Sequence, residues 1–133
     1  MNKRYIIFAD DDVDDLELIT GSFKEVNNEI DLLEFKDGKA VLHFLEQVSV
    51  QSGVFPRLIV LDINMPFMDG ISTLTAIRQK EALKNIPVVI YTTSMTKNNI
   101  QLCKVMDASW LIKPTSVEQI RQTAEILSGL CNE

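Results

Sequence analysis

The segment Tyr5-Ile-Ile-Phe-Ala-Asp-Asp-Asp12 joins a short apolar run to three consecutive aspartates. The run from Tyr5 to Ala9 has little polar interruption, which is typical of a strand covered on both faces within a parallel sheet. It is also too short to be the core of a signal peptide or a membrane span. The segment therefore predicts a buried strand that ends in an acidic loop.

Four further stretches have the character of strands. Leu58 to Leu61 and Val88 to Tyr91 are also apolar runs, and each predicts a strand covered on both faces. Ile30 to Phe35 is more mixed and Trp110 to Ile112 is short, so both are expected nearer an edge of the sheet. The sequence thus predicts five strands.

Apolar residues recur at helical spacing between and after these runs, which indicates five amphipathic helices. The helix-spaced sets are Leu16, Ile19, Phe23 and Val26; Val41, Phe44, Leu45 and Val48; Ile71, Leu74 and Ile77; Ile100, Cys103 and Met106; and Val117, Ile120, Ala124 and Leu127. Strand and helix therefore alternate five times. This order implies parallel pairing through right-handed crossovers, and hence a three-layer α/β sandwich.

Turn and capping residues agree with this division. Asp37-Gly38 and Asp69-Gly70 are turn signals just before helices, and Thr115 with Glu118 predicts a capping box at the start of the last helix. Gln47 to Arg57 is polar and contains Gly53 and Pro56, so it is expected to be an extended surface loop.

Length and charge restrict the function. The 133 residues predict one domain, residues 1–133, without an output domain, and 46% hydrophobic residues are enough for a sizeable core. A net charge of −6 argues against nucleic acid or an anionic membrane as a partner. Cys103 and Cys131 lack metal-ligand spacing and are expected to be reduced packing residues in a cytoplasmic protein, and the single histidine leaves no basis for a His-based site.

Polar side chains follow the predicted strands at the edge where ligands bind in open parallel sheets. Asp10, Asp11 and Asp12 follow the first strand, Asp62 and Asn64 the third, Thr92 and Thr93 end the fourth, and Lys113-Pro114 follows the fifth. Clustered carboxylates repel one another, so a cation is required. Oxygen ligands favour Mg²⁺, and Lys113 supplies a second, fixed positive charge.

The sequence resembles the receiver domains of two-component response regulators. Four separated elements carry the resemblance: the acidic cluster, the stretch LDINMPFMDG from Leu61 to Gly70, the threonine that ends the fourth strand, and the Lys-Pro pair after the fifth. The resemblance covers nearly the whole chain. It implies a flavodoxin-like, doubly wound (βα)₅ fold with strand order 2-1-3-4-5.

The resemblance also implies roles for individual residues. Asp62 corresponds to the phosphoacceptor, whose carboxylate receives a phosphoryl group from the phosphohistidine of a sensor histidine kinase. Mg²⁺ is the implied cofactor. Asp11 corresponds to its direct ligand, Asp10 to a water-mediated neighbour and Asn64 to a ligand through its backbone carbonyl, and Asp62 completes the set.

Three further residues correspond to the remaining functional positions of the family. Thr92 matches the hydroxyl that binds a phosphoryl oxygen, and Lys113 matches the ammonium that pairs with Asp62 and then with the phosphate. Trp110 falls where the family has a switch aromatic, so Thr92 and Trp110 are predicted to form the switch. Met106-Asp107 stands where Gly-Ala is common, so the turn into the fifth strand is expected to differ in shape.

The implied function is that of a stand-alone receiver, a signalling module rather than an enzyme, which acts by changing its contacts with a downstream effector. The alternative is a relay that passes the phosphoryl group to a histidine phosphotransfer protein. An aspartyl-phosphate hydrolase needs a second carboxylate two residues after the nucleophile, where Asn64 stands. Flavin binding on the same topology is opposed by the charge of Asp10 to Asp12 beside the cofactor phosphate.

Overall fold

The computed structural model describes residues 4–131, so both ends of the predicted domain, residues 1–3 and 132–133, lie outside the described residues. Five parallel strands form one sheet in the order β2-β1-β3-β4-β5, and five helices alternate with them. This confirms the predicted (βα)₅ topology and strand order. In chain order the elements are β1 Tyr5–Ala9, α1 Val13–Val26, β2 Asp31–Phe35, α2 Gly38–Val50, β3 Leu58–Leu61, α3 Gly70–Gln79, β4 Val88–Thr92, α4 Lys97–Val105, β5 Ser109–Ile112 and α5 Val117–Cys131.

The strands differ in burial as their sequences predict. Every residue of β3 and β4 is buried, and β1 is exposed only in part at Tyr5. β2 and β5 form the two edges and remain half-exposed. An apolar run without alternation therefore marks a central strand here, because helices cover both faces of it.

Side chains alternate along the strands and divide the core into two layers. On one face, Ile7 and Ile59 pack with residues of α2, α3 and α4, including Leu45 and Leu74. The opposite face has a second layer, built from strand residues together with α1 and α5. Its fully buried members include Ile6, Phe8, Phe23, Ala124 and Leu127, and the Phe8 and Phe23 rings meet edge to face at 5.9 Å. The three-layer sandwich is thus confirmed.

Helix caps fix the loops at the carboxyl edge of the sheet. Asp12, Asp37, Asp69 and Thr96 each accept a hydrogen bond from the amide three residues later, at the starts of α1, α2, α3 and α4. Such a side chain satisfies a helical N–H that has no partner within the helix. The chain therefore enters each of these helices in a defined direction.

Two boundary predictions were wrong. α5 begins one residue later than expected, and its cap is Ser116, which accepts from the amide of Gln119 at 3.2 Å, rather than Thr115. Residues 47–50 belong to α2 rather than to a loop, since the amide of Gln51 still donates to the carbonyl of Gln47. Local composition could not settle either boundary, because adjacent hydroxyl residues cap equally well and polar residues also occupy exposed helix faces.

The turn into β5 has the left-handed backbone that most often carries glycine. Asp107 has a φ of 54°, and the next amide closes the end of α4 on the carbonyl of Cys103. This is a helix-ending motif in which a side chain is costly. The guanidinium of Arg78 donates to the carbonyls of Lys84, Ile86, Met106 and Asp107, which ties this turn to the end of α3.

Cys103 and Cys131 are free and buried, as predicted for packing residues. Among residues 4–131, no helix combines the length and the apolar character that a bilayer span needs.

Candidate functional site

Ladder hydrogen bonds continue past the strand ends and align three functional residues at one edge of the sheet. The amide of Asp10 donates to Phe35, that of Asp62 to Ala9, and that of Lys113 to the carbonyl of Thr92, at 3.0, 2.9 and 2.7 Å. Because the strands are parallel, these residues all leave the sheet in the same direction. The site is therefore positioned by the backbone of the sheet and not by flexible loops.

Three carboxylates meet at this edge. Asp10, Asp11 and Asp62 each offer an oxygen atom, and these atoms lie within 4.8 Å of one another. The Asp10 and Asp62 side chains are buried, while Asp11 is exposed at the mouth. One oxygen of Asp62 accepts from the amide of Ile63 at 2.7 Å, which fixes the carboxylate orientation. The predicted acidic cluster is thus assembled in space.

Lys113 brings an ammonium group into the same pocket. Its Nζ atom lies 2.7 Å from Asp10 Oδ2, 2.8 Å from Asp15 Oδ2 and 3.1 Å from Asp62 Oδ2, and its side chain is 7% exposed. The contacts with Asp15 and Asp62 are directed hydrogen bonds. One cation therefore faces several anions in a partly water-excluded pocket.

The pocket is electrostatically unbalanced. Burial raises the pKa of Asp10 from 3.8 to about 6, against the lowering effects of Lys113 and the Asp12 amide, and the charge of Asp62 adds to the rise. Burial acts to lower the pKa of Lys113, but its carboxylate partners Asp10, Asp15 and Asp62 raise it above the ordinary value. Lys113 stays charged, whereas ionising Asp10 costs free energy.

This imbalance fits a divalent cation. The Asp10 Oδ2 atom is buried and accepts no well-directed hydrogen bond, although Lys113 lies close to it. Lys113 is a single cation shared among Asp10, Asp15 and Asp62, so a second cation would lower the cost of keeping the buried carboxylates ionised. The donors are all oxygen atoms, which hard cations such as Mg²⁺ or Mn²⁺ prefer. Asp10, Asp11 and Asp62 could therefore hold a metal of this type.

A glycine lets the loop after β3 approach the site. A side chain on Gly70 would collide with the backbone carbonyl of Asp62, and the Gly70 amide donates to the carbonyl of Ile63 at 2.9 Å. This hydrogen bond closes the loop between Ile63 and Gly70. Asn64 lies in this loop and is exposed. The glycine thus keeps the residues around Asp62 in a compact turn.

Thr92 and Trp110 lie on neighbouring strands. Thr92 is buried at the end of β4, within the backbone ladder that holds Lys113. Trp110 lies on β5 opposite Ile90, is half-buried, and packs against the core layer that includes α2, α3 and α4. Trp110 is the register partner of Ile90, and Thr92 lies two residues after Ile90 on the same strand, so the two predicted switch residues lie on the same face of the sheet.

Sequence reasoning missed two residues of the pocket. Asp15 lies in the first turn of α1, where its amide donates to the cap residue Asp12. Acidic residues are common in the first turn of a helix, so the sequence offered no reason to place Asp15 in the pocket. Tyr91 appeared only as a strand residue, yet its ring centroid lies 5.9 Å from Lys113 Nζ, and burial raises its pKa to about 12. Only the direction in which each side chain points reveals these contacts.

The fold is that of a known class of signalling domain. Residues 6–125 match the model of the response regulator receiver domain, and the chain belongs to that family. The family and the strand order that the resemblance implied are both confirmed.

Similar proteins include regulators from Methanothrix harundinacea and Synechocystis. The chain is 36% identical over 91 residues to the probable methanogenesis regulatory protein FilR2 of Methanothrix harundinacea, covering 68% of this chain and 59% of FilR2. It is 34% identical over 98 residues to the response regulator Rcp1 of Synechocystis, covering 73% of this chain and 67% of Rcp1. The aligned segment thus spans about three fifths of FilR2.

Solved structures of two receivers are closely similar in fold. The phosphorylated cyanobacterial phytochrome response regulator RcpA gives a TM-score of 0.85 at 25% identity, over 96% of this chain and 92% of that one. The Mn²⁺-bound form of Rcp1 gives a TM-score of 0.83 at 27% identity, over 95% of this chain and 92% of the Rcp1 chain.

Proposed function

We propose that Asp62 accepts a phosphoryl group from the phosphohistidine of a sensor histidine kinase in a Mg²⁺-dependent reaction. The observation that carries the proposal is the position of Asp62 itself. Its buried carboxylate lies at the end of a central strand, 3.1 Å from a buried ammonium and beside two further carboxylates. Phosphoryl transfer depends chiefly on positioned cations, and the proposal is supported by a buried ammonium beside carboxylate oxygens that could bind a metal ion.

The proposed transfer is a substitution at phosphorus. A carboxylate oxygen of Asp62 forms the new O–P bond while the P–N bond to the donor imidazole breaks, and the imidazole leaves. The Ile63 amide holds the other oxygen of Asp62, so that Oδ2 faces Lys113. Lys113 neutralises the negative charge that the phosphoryl oxygens bring, and the Thr92 hydroxyl is assigned to bind one of them.

A bound Mg²⁺ supplies further positive charge for those oxygens. Asp10, Asp11 and Asp62 are proposed as its side-chain ligands, with the Asn64 carbonyl as a backbone ligand. Asp10 contributes an oxygen that the protein itself leaves without a directed hydrogen bond.

The output is proposed to be a change in protein contacts. If Thr92 moves toward the new phosphoryl group, space opens beside it for Trp110, and the face formed by α4, β5 and α5 repacks. A downstream effector would read this face in the cytoplasm. The solved chains of the response regulators RcpA and Rcp1 are each covered to 92% by this chain, which supports a role as a response regulator of the same kind.

A relay that passes the group to a histidine phosphotransfer protein is the second candidate. Both share the chemistry at Asp62, so only the fate of the phosphoryl group separates them. Incubating the labelled protein with a histidine phosphotransfer domain returns the label to histidine in a relay and leaves it on aspartate in an effector.

The proposal is tested by labelling with radioactive acetyl phosphate. Wild type is expected to incorporate label in Mg²⁺ and to lose this ability in a chelator, and Asp62→Asn is expected to remain unlabelled. The matched control is Asp69→Asn, the same change in the same loop at the helix cap, where asparagine caps as well as aspartate. Equal labelling of Asp62→Asn and wild type overturns the proposal.

A further inference from the structure

Lys113 makes two directed hydrogen bonds of different length. The shorter one goes to Asp15 and not to Asp62, the proposed phosphoacceptor. Lys113 Nζ donates to Asp15 Oδ2 at 2.8 Å and to Asp62 Oδ2 at 3.1 Å. Asp15 comes from the first turn of α1, whereas Asp62 and Asp10 come from strand ends. A residue outside the acidic cluster therefore helps to hold the ammonium group, together with Asp10 at 2.7 Å and Asp62 at 3.1 Å.

Asp15 differs from the other partners in its access to water. Its side chain is 35% exposed, against 5% for Asp10 and 8% for Asp62. A carboxylate that gives up an ion pair loses less when water replaces the partner than when the group is buried. Asp15 is therefore the one carboxylate in this set that can release Lys113 at low cost.

Phosphorylation adds new hydrogen-bond acceptors for the ammonium group of Lys113. A lysine has three N–H donors, and the phosphoryl group adds strong anionic acceptors next to Asp62. The carboxylate of Asp15 also lowers the positive potential that Lys113 presents to an incoming anion. The resting contact with Asp15 and the contact with phosphate thus compete for one cation.

We propose that Asp15 is a positioning residue that holds Lys113 in the resting pocket and competes with phosphoryl oxygens for its ammonium group. The inference rests on the proposed function, because it concerns the same phosphoryl site. It predicts that removing the charge of Asp15 strengthens the binding of a phosphoryl group or its mimic. A residue that merely stabilised the fold would have no such effect.

The test is a titration with beryllofluoride and Mg²⁺, with the bound fluoride observed by fluorine NMR. Asp15→Asn is expected to bind beryllofluoride about threefold to tenfold more tightly than wild type, as removal of one charge a few ångströms away implies. Acetyl phosphate should also label this variant faster. Asp15→Glu keeps the charge and should restore an affinity near that of wild type.

The matched control is Asp14→Asn. Asp14 lies in the same first turn of α1, is exposed, and loses the same charge, so it reports the effect of the helix terminus and of net charge alone. Its beryllofluoride affinity should remain within about twofold of wild type, because exposed charges are screened. Circular dichroism melting checks that all variants fold.

The outcomes separate the two proposals. A wild-type protein that binds no beryllofluoride and accepts no label overturns the proposed function, and this inference with it. If wild type binds beryllofluoride but Asp15→Asn has the same affinity as Asp14→Asn, or a lower affinity than wild type, only the competition between Asp15 and the phosphoryl group is overturned. The proposed function then stands. Tighter binding in Asp15→Asn, reversed in Asp15→Glu, supports it.

Discussion

Replacing Asp10 with asparagine should stabilise the metal-free protein. The side chain is 5% exposed, and burial raises its pKa from 3.8 to about 6. The folded state therefore binds the Asp10 proton more tightly than the unfolded state does. The contribution of Asp10 to stability is therefore greatest below about pH 4, where Asp10 is protonated in both states, and is lost as the pH rises through about 6.

The size of the effect follows from the two pKa values. At about 1.4 kcal/mol for each tenfold change in proton affinity, the difference between 3.8 and about 6 corresponds to ~3 kcal/mol at neutral pH. Asparagine is neutral at every pH and nearly isosteric. Asp10→Asn should therefore raise the free energy of unfolding by up to ~3 kcal/mol at pH 7, with a gain that disappears near pH 4.

Urea denaturation in the presence of a chelator measures this directly, at several pH values between 4 and 7. Asp14→Asn serves as the control because Asp14 is exposed on the adjacent helical turn. The gain should shrink or reverse when Mg²⁺ is added, since the metal stabilises the wild-type carboxylates. An Asp10→Asn variant that is less stable at pH 7, or equally stabilised at pH 4 and 7, would refute the reasoning.

Three further predictions concern the turn into β5, the loop after β3 and the tryptophan. Asp107→Gly should raise the unfolding free energy by ~1 kcal/mol, because glycine adopts the positive φ without a penalty; a loss of stability in urea melts contradicts this. Gly70→Ala should destabilise the protein by ~2 kcal/mol or more, since the added methyl group meets the Asp62 carbonyl, and an unchanged melting temperature would disprove the close approach. Fluorescence of Trp110, the single tryptophan, should change when beryllofluoride and Mg²⁺ bind; a constant signal assigns it to static packing.

The sequence predicted the architecture because the fold depends on patterns that the sequence displays. Apolar runs such as Leu58 to Leu61 require cover on both faces, and the helix-spaced residues between the strands provide it. The edge position of β2 and β5 followed from their mixed or short character. Strand order came from the family resemblance, since periodicity does not determine which strands are neighbours.

The candidate site was predictable only in part. Residues that directly follow strand ends, such as Asp10 and Asp62, converge because parallel strands end at one edge. Asp15 and Tyr91 reach Lys113 through side-chain direction, which no spacing rule specifies. The shift of the α5 cap to Ser116 has a similar origin, since a one-residue choice between two hydroxyl groups depends on the exact path of the chain.

The central claim is that Asp62 is the residue that carries the phosphoryl group. After incubation with acetyl phosphate and Mg²⁺, borohydride reduces an aspartyl phosphate to homoserine, and peptide sequencing by mass spectrometry locates the converted residue. Conversion is expected at position 62 alone, and none in a chelator. Conversion at another aspartate, or an unmodified position 62 in a protein that has taken up label, would contradict it.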